Sequence, residues 1–289
     1  MPIELVLNVV LQGLLTGLVY GLMALGLSVI FGVVRVVNFA HGEMMTIAMY
    51  CAIVAFNLWH IDPLISMVPI AVLLFALGYV MQAWLINPFI NRPEHSQFML
   101  LAAVAIVMVN ALLMIFGPDA RTTLVDYALD SVEIGPLLVD KVRLMTAGLA
   151  VVVTASLFAF FRFTRTGKAI RACADNYAGA LTVGLDVKRL YAFTFGLGSA
   201  CVGAAGAMMV LLIDVTPNLG PPFTLQAFVI VIVGGLGSMP GALLGGVLIG
   251  LSEALSGLFF APSAKSMFAI ALLILVLLLR PQGLLGKRA

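Results

Sequence analysis

Charge is what this chain has least of. Of its 289 residues only 10% are Asp, Glu, Lys or Arg, against 63% hydrophobic, and the mean hydropathy is +1.17. An ordinary soluble domain carries roughly 25% charged residues, so these side chains cannot clothe a water-facing globule. Intrinsic disorder, nucleic-acid binding and a soluble enzyme are excluded on that ground, and the solvent must be a lipid bilayer. Cysteine is scarce too. Cys51, Cys173 and Cys201 are odd in number and have no metal or redox spacing, so no disulfide framework is implied. The first residues, MPIELVLNVV, lack the basic stretch of a cleaved signal peptide, and the first apolar segment is expected to stay as a membrane helix.

Catalytic patterns are missing as well. His41, His60 and His95 are scattered, and no two stand four apart as in a zinc protease. Thr166-Gly167-Lys168 hints at a nucleotide loop, but Arg162 holds the position of its first glycine. There is no G-x-S-x-G elbow, no TVGYG-like filter, no arginine-rich voltage sensor and no chain of acids suited to a proton pump. No catalytic residue and no metal ligand is expected.

What the chain does have is apolar length. Uncharged or nearly uncharged runs cover 5–34, 44–59, 63–86, 97–116, 144–161, 190–213, 225–252 and 266–279. A span needs about 20 such residues, and in lipid each must be helical to satisfy its own amides. The expectation is an all-α polytopic membrane protein. It has about eight hydrophobic helical segments, with one broken or hairpin-like at 225–258. Residues 1–289 form a single transmembrane domain. Lys and Arg set its orientation. The linker 162–189 carries Arg162, Arg165, Lys168, Arg171, Lys188 and Arg189, and the tail carries Arg280, Lys287 and Arg288. Placing both inside also puts Arg35 and Arg92 inside and the acidic loop 117–143 outside. Parity then requires 225–258 to enter and return on one face, bent at GGLGSMPG.

Glycine is ordered. Gly13, Gly17 and Gly21 fall four apart, as do Gly237, Gly241 and Gly245, and again Gly246 and Gly250. Such stripes read as close helix packing, or as an interface that lines a pathway. Two breaks interrupt apolar runs, VNFAHGEMM (37–45) and GGLGSMPG (234–241). Paired Gly/Pro interruptions in a transporter point to a central site of unwound backbone. The candidate pathway residues are therefore Asn38, His41, Gly42 and Glu43, with Gly234, Gly235, Gly237 and Ser238. The competing reading makes 35–43 an interfacial loop and Glu253 a residue near the outer interface. Asn8, Gln12, Asn110 and Gln226 are expected to bridge helices.

The linker carries the signals of a short helix. Asp175 or Asn176 is placed to cap a short helix and Gly184 to end it in the left-handed conformation. Tyr177-Ala178-Gly179-Ala180-Leu181 between them makes a compact small-residue surface. Two readings are open: a positive-inside loop that only sets topology, and a docking helix for a cytoplasmic partner, which also accounts for the capped helix.

Four stretches carry a resemblance: GLVYGLMALGLSVIFGVVRVVNFAHGEMM (17–45), RTGKAIRACADNYAGALTVGLDVKRLYAFTF (165–195), FVIVIVGGLGSMPGALLGGVLIGLSEAL (228–255) and LLILVLLLRPQGLLGK (272–287). In order and spacing the chain resembles the LivH-type permease subunits of bacterial branched-chain amino acid ABC importers, nearly end to end. The loop 117–143 is the least similar part. The resemblance implies a second, LivM-like permease subunit, two ABC ATPase subunits below, a periplasmic substrate-binding protein above, and the bacterial inner membrane as location. No cofactor is implied on this chain; ATP and magnesium belong to the ATPases. It also implies that Gly167, Arg171, Ala172, Asn176, Ala178, Ala180 and Gly184 transmit ATPase movement. The solute is left open between branched-chain amino acids and urea, short amides or aromatic acids. With few charges at depth, a small zwitterion or neutral solute fits better than an anion. A self-sufficient secondary carrier working through His41 and Glu43 is the reading from another class. A membrane-embedded enzyme lacks any nucleophile–base or metal constellation.

Overall fold

One uninterrupted helix, α1 (Ile3–Val34), opens the fold. At 1.5 Å per residue its 32 residues span about 48 Å, so the first apolar run is one continuous helix. The computed structural model describes residues 3–90, 92–135, 137–260 and 265–286. Lys287 and Arg288 of the basic tail, and the side chain of Lys265, lie outside the described residues.

Beyond α1 follow α2 (His41–Trp59), α3 (Pro63–Val80) and α4 (Glu94–Phe116). A π-helical turn (Met81–Ile86) and a 3-10 turn (Asn87–Phe89) prolong α3. The loop after α4 holds an antiparallel hairpin, β1 (Ser131–Ile134) and β2 (Leu137–Asp140), in which Ser131 faces Asp140. Next come α5 (Lys141–Phe163), α6 (Arg165–Asp175), α7 (Tyr177–Thr182), α8 (Val187–Met209), α9 (Gly220–Gly234), α10 (Met239–Phe259) and α11 (Lys265–Leu279). Among the described residues eight helical stretches are long and apolar enough to cross a membrane, and Ser266–Leu279 adds a shorter apolar one. The all-α membrane architecture read from the sequence is therefore present, with the small hairpin as an addition that composition did not announce.

Several helices start where a polar side chain can take up a free amide. Asp62 accepts from Leu64 N, Asp140 from Val142 N, Thr164 from Gly167 N and Asp186 from Arg189 N. Ser238 does the same for Gly241 N at the head of α10.

The glycine stripes are helix packing within the chain. A Cβ on Gly13, Gly17 or Gly21 of α1 would meet α10 at Gly250, Gly246 or Leu243. The pairings run in opposite directions, so α1 and α10 are antiparallel with their backbones in contact. Likewise Gly245 sits on Ile230 and Gly241 on Gly234, making α9 and α10 an antiparallel pair that turns at 235–238. The expected hairpin exists, and with the 3-10 turn Pro217–Leu219 ahead of α9 each limb is long and apolar enough to cross a membrane. The turn comes to the end of the bundle where α1 finishes, because Gly237 packs against Gly32. That is also the end holding α6 and α7. It is called the linker end below, and the end with β1 and β2 the loop end.

Candidate functional site

The segment 35–40 turns back into the bundle after α1. Arg35 takes φ 58°, and Asn38 Oδ1 accepts from Ala40 N at 3.1 Å, a local turn that stops α1 from continuing. Helix α2 then starts deep inside. His41 Nε2 donates to Met23 O, in the interior of α1, at 3.0 Å. The ordinary cap position, Ala40, has no side chain to offer. The cap comes instead from α9: Thr224 Oγ1 accepts from Gly42 N at 2.8 Å. The same hydroxyl lies 3.1 Å from Glu43 Oε2 and 3.3 Å from Phe39 O, and donates to one of them. A Cβ on Gly42 would collide with Gly220 O and Thr224 N, so the first turns of α2 and α9 meet with no room between them. Glu43 sits in the first turn of α2, where a carboxylate is favoured by the helix dipole. Asn38 and His41 are wholly buried and Glu43 nearly so, whereas Arg35 is exposed, so the segment runs from the surface into the packed interior of the bundle.

Beside this junction a cavity of about 1280 Å³ lies at the linker end. That exceeds the roughly 300–1,000 Å³ of a fitted ligand pocket, so it is a vestibule. One wall is α1 with the turn-back, through Ser28, Gly32, Arg35 and Phe39. A second is the first turn of α4, with His95, Gln97 and Phe98. A third is the α9–α10 turn, including Gly237 and Ser238, with Gln282 and Gly286 behind it. The floor includes Arg171, Ala174 and Asp175 of α6. Phe39 stands edge-on to Phe98 at 4.4 Å and near Phe228 at 5.2 Å, an aromatic cluster between the turn-back, α4 and α9.

The predicted pathway residues therefore divide. Gly237 and Ser238 line the cavity. Asn38, His41, Gly42, Glu43, Gly234 and Gly235 are packed beside it and do not line it. Gly235 has φ 109° and touches Gly286, so only glycine fits there. The residues after α11 hold this turn: Leu284 N donates to Val233 O and Leu285 N to Gly234 O, both at 2.9 Å.

The linker folds as two helices where one was expected. Asn176 Oδ1 caps α7 by accepting from Gly179 N at 2.9 Å, and Gly184 has φ 80°, as the sequence implied. α6 is an addition, started by Thr164. Arg171, Ala172, Asn176, Ala178 and Gly184 are exposed, whereas Ala180 is buried, and Gly167 is buried with a Cβ there colliding with Phe160 O. Tyr177, Leu181 and Val183 are exposed to 50%, 49% and 74%, which gives this face an apolar character the small residues alone did not convey. Burial pushes the Cys173 thiol, on the inner face of α6, above its ordinary range.

The amides also divide. Gln12 bridges to Arg143 of α5 at 2.8 Å, and Gln226 to Glu253 of α10 at 2.9 Å. Among the described residues Asn110 bridges to no other helix: it is exposed and bonds Ile106 O of its own helix. Asn8 Oδ1 has no partner among the described residues. Sequence reasoning missed Thr224, Ser28, the three phenylalanines and the docked segment 282–286. A threonine two residues after Pro221-Pro222 in an apolar run was the signal for the first. Among the described residues no three His, Cys, Asp or Glu side chains form a metal-binding group.

A family model described as branched-chain amino acid transport system, permease component, matches residues 9–277. The chain is 31% identical to the high-affinity branched-chain amino acid transport system permease protein LivH of Escherichia coli K12, over 96% of this chain and 94% of that one. It is 29% identical to the corresponding permease protein BraD of Pseudomonas aeruginosa, over 97% and 96%. It is also 29% identical to the permease protein LivM of Escherichia coli K12, over 50% of this chain and 35% of that one. No solved structure matches.

Proposed function

Since the chain belongs to the family of branched-chain amino acid transport permease components, we propose that it is the membrane-spanning permease subunit of an ATP-driven importer for branched-chain or related apolar amino acids. It forms the pathway with a second permease subunit. The similarity to LivM, a permease of the same kind of system, supports a related partner. Two ATPase subunits carry ATP and magnesium on the cytoplasmic side, and a periplasmic binding protein delivers the solute. The location is the bacterial inner membrane.

The observation that carries the mechanism is the double position of α6. It belongs to the basic linker and supplies Arg171, Ala174 and Asp175 to the cavity floor. A rigid push on the exposed face of α7 therefore reaches the cavity wall through one short element, Asn176, the last residue before α7 and its cap. Rigid-body movement of packed helices is how such switches amplify small displacements. The buried junction of Asn38, His41, Gly42 and Glu43 with α9 is the fixed point about which the cavity walls turn, and Gly234, Gly235, Gly237 and Ser238 shape the moving lip.

The test is affinity purification of the tagged chain from its native membrane, with mass spectrometry of what accompanies it. A second hydrophobic permease and two nucleotide-binding subunits are expected. Recovery of the chain alone, still transporting leucine into liposomes without ATP, overturns the importer reading in favour of a secondary carrier.

A further inference from the structure

α4 is the least enclosed of the membrane-length helices. At about 100° of turn per residue, Met99, Ala103, Ile106, Asn110 and Met114 fall on one stripe. All five are exposed, with Met99 at 66%, Ile106 at 64% and Met114 at 87%. Asn110 Nδ2 donates to Ile106 O at 2.7 Å, which uses one donor. Its Oδ1 has no protein partner among the described residues. The residue lies six positions before the Phe116 end of the helix, or about 9 Å below it at 1.5 Å per residue, too deep for so short a side chain to reach the surface.

An amide left facing hydrocarbon is costly, and polar side chains within membrane segments face a bundle interior or a water-filled space. Among the described residues Asn110 is exposed and faces neither. Ser156 of α5 is the instructive contrast: it too is exposed, but its hydroxyl donates to Val152 O at 2.8 Å and demands nothing outside. Asn110 still has an acceptor and a donor to place. Two observations say where. His95, one turn before Met99 on the same stripe, already lines the vestibule, so the stripe continues from it along α4. The stripe also joins a neutral donor–acceptor to flexible thioethers and an isoleucine, with no fixed charge. Such a surface holds an apolar side chain and gives one hydrogen-bonding group to an ammonium or a carboxylate. It binds weakly enough to let the solute leave.

We infer that the Met99–Ala103–Ile106–Asn110–Met114 stripe of α4 is the wetted wall of the solute pathway, turned toward the second permease subunit. Asn110 receives the polar end of a small zwitterion there, and Met99, Ile106 and Met114 its apolar side chain. This rests on the permease reading above.

The experiment uses the assembled complex in lipid nanodiscs. Cys51, Cys173 and Cys201 are replaced, and single cysteines are placed by Ala103→Cys, Ile106→Cys, Asn110→Cys and, on the adjoining exposed face at the depth of Asn110, Ala111→Cys. A charged, membrane-impermeant thiol reagent is expected to label positions 103, 106 and 110 at least tenfold faster than 111. Asn110→Leu is expected to lower leucine uptake in proteoliposomes by tenfold or more, and Asn110→Gln to restore most of it. Labelling at 110 no faster than at 111 overturns the wetted wall. Fast labelling with unchanged uptake by Asn110→Leu overturns the solute contact. Labelling needs no ATP, so failure of the importer reading, shown by uptake without ATPases, is distinguishable from failure of this one.

Discussion

Gly42 N donates to Thr224 Oγ1 at 2.8 Å, across 182 positions of sequence. The bond caps a helix that begins inside the protein with a side chain from another helix that also begins there. Removing the hydroxyl leaves a buried amide unpaired, at a cost of about 1–3 kcal/mol. Thr224→Val is therefore expected to lower the unfolding temperature in detergent by several degrees, and Thr224→Ser by much less. Gly42→Ala is expected to be worse than either, because its Cβ has Gly220 O in its way. Equal thermal stability of Thr224→Val and the parent protein contradicts the cap.

The α1–α10 contact makes a second prediction. Gly17 and Gly246 lie backbone against backbone, so Gly246→Leu forces the helices apart. Overpacking costs about 1–3 kcal/mol where side chains can shift, and backbone cannot shift so cheaply. Loss of folded, monodisperse protein on size-exclusion chromatography is expected. Gly148→Ala in α5, where a Cβ meets nothing within 4 Å, is the neutral control.

The linker predicts a separation of two neighbours. Ala178 is exposed on α7 and Ala180 is buried beneath it. Ala178→Glu is expected to leave the permease folded while abolishing solute-stimulated ATP hydrolysis in the complex. Ala180→Glu is expected to unseat α7 itself, visible as faster alkylation of Cys173. Normal stimulation with Ala178→Glu removes the docking role.

A fourth prediction concerns pH at the loop end. Tyr127 OH donates to Asp62 Oδ2 at 2.6 Å. Partial burial first, and then the Asp62 hydrogen bond and charge, hold the phenol above its ordinary value. A group whose folded pKa is raised contributes stability below its unfolded pKa, about 10 for tyrosine, and loses it as pH rises through the folded value. Tyr127→Phe is expected to lower the unfolding temperature by a few degrees at pH 8, with the gap closing above pH ~10. A gap that stays constant to pH ~11 argues against the bond.

Much of this was legible in advance. Apolar runs separated by rare charges marked the helices, because lipid permits little else. Asn176 and Gly184 announced α7, since caps and left-handed turns are local. The parity of the basic clusters implied the α9–α10 hairpin before its turn was seen. The candidate site was less legible. Asn38, His41 and Glu43 stood out as polar residues at a break, but neither their burial nor the cavity beside them follows from spacing.

By itself the sequence determined the solvent, the helices and the family, because each depends on composition, local hydrogen bonding or motif order. Only the tertiary structure decided which glycines touch, that Thr224 completes α2, that α6 floors the cavity and that Asn110 faces outward. These are pairings between segments far apart in the chain. One apolar helix face resembles another until backbone approach and the need to satisfy each buried amide select its neighbour.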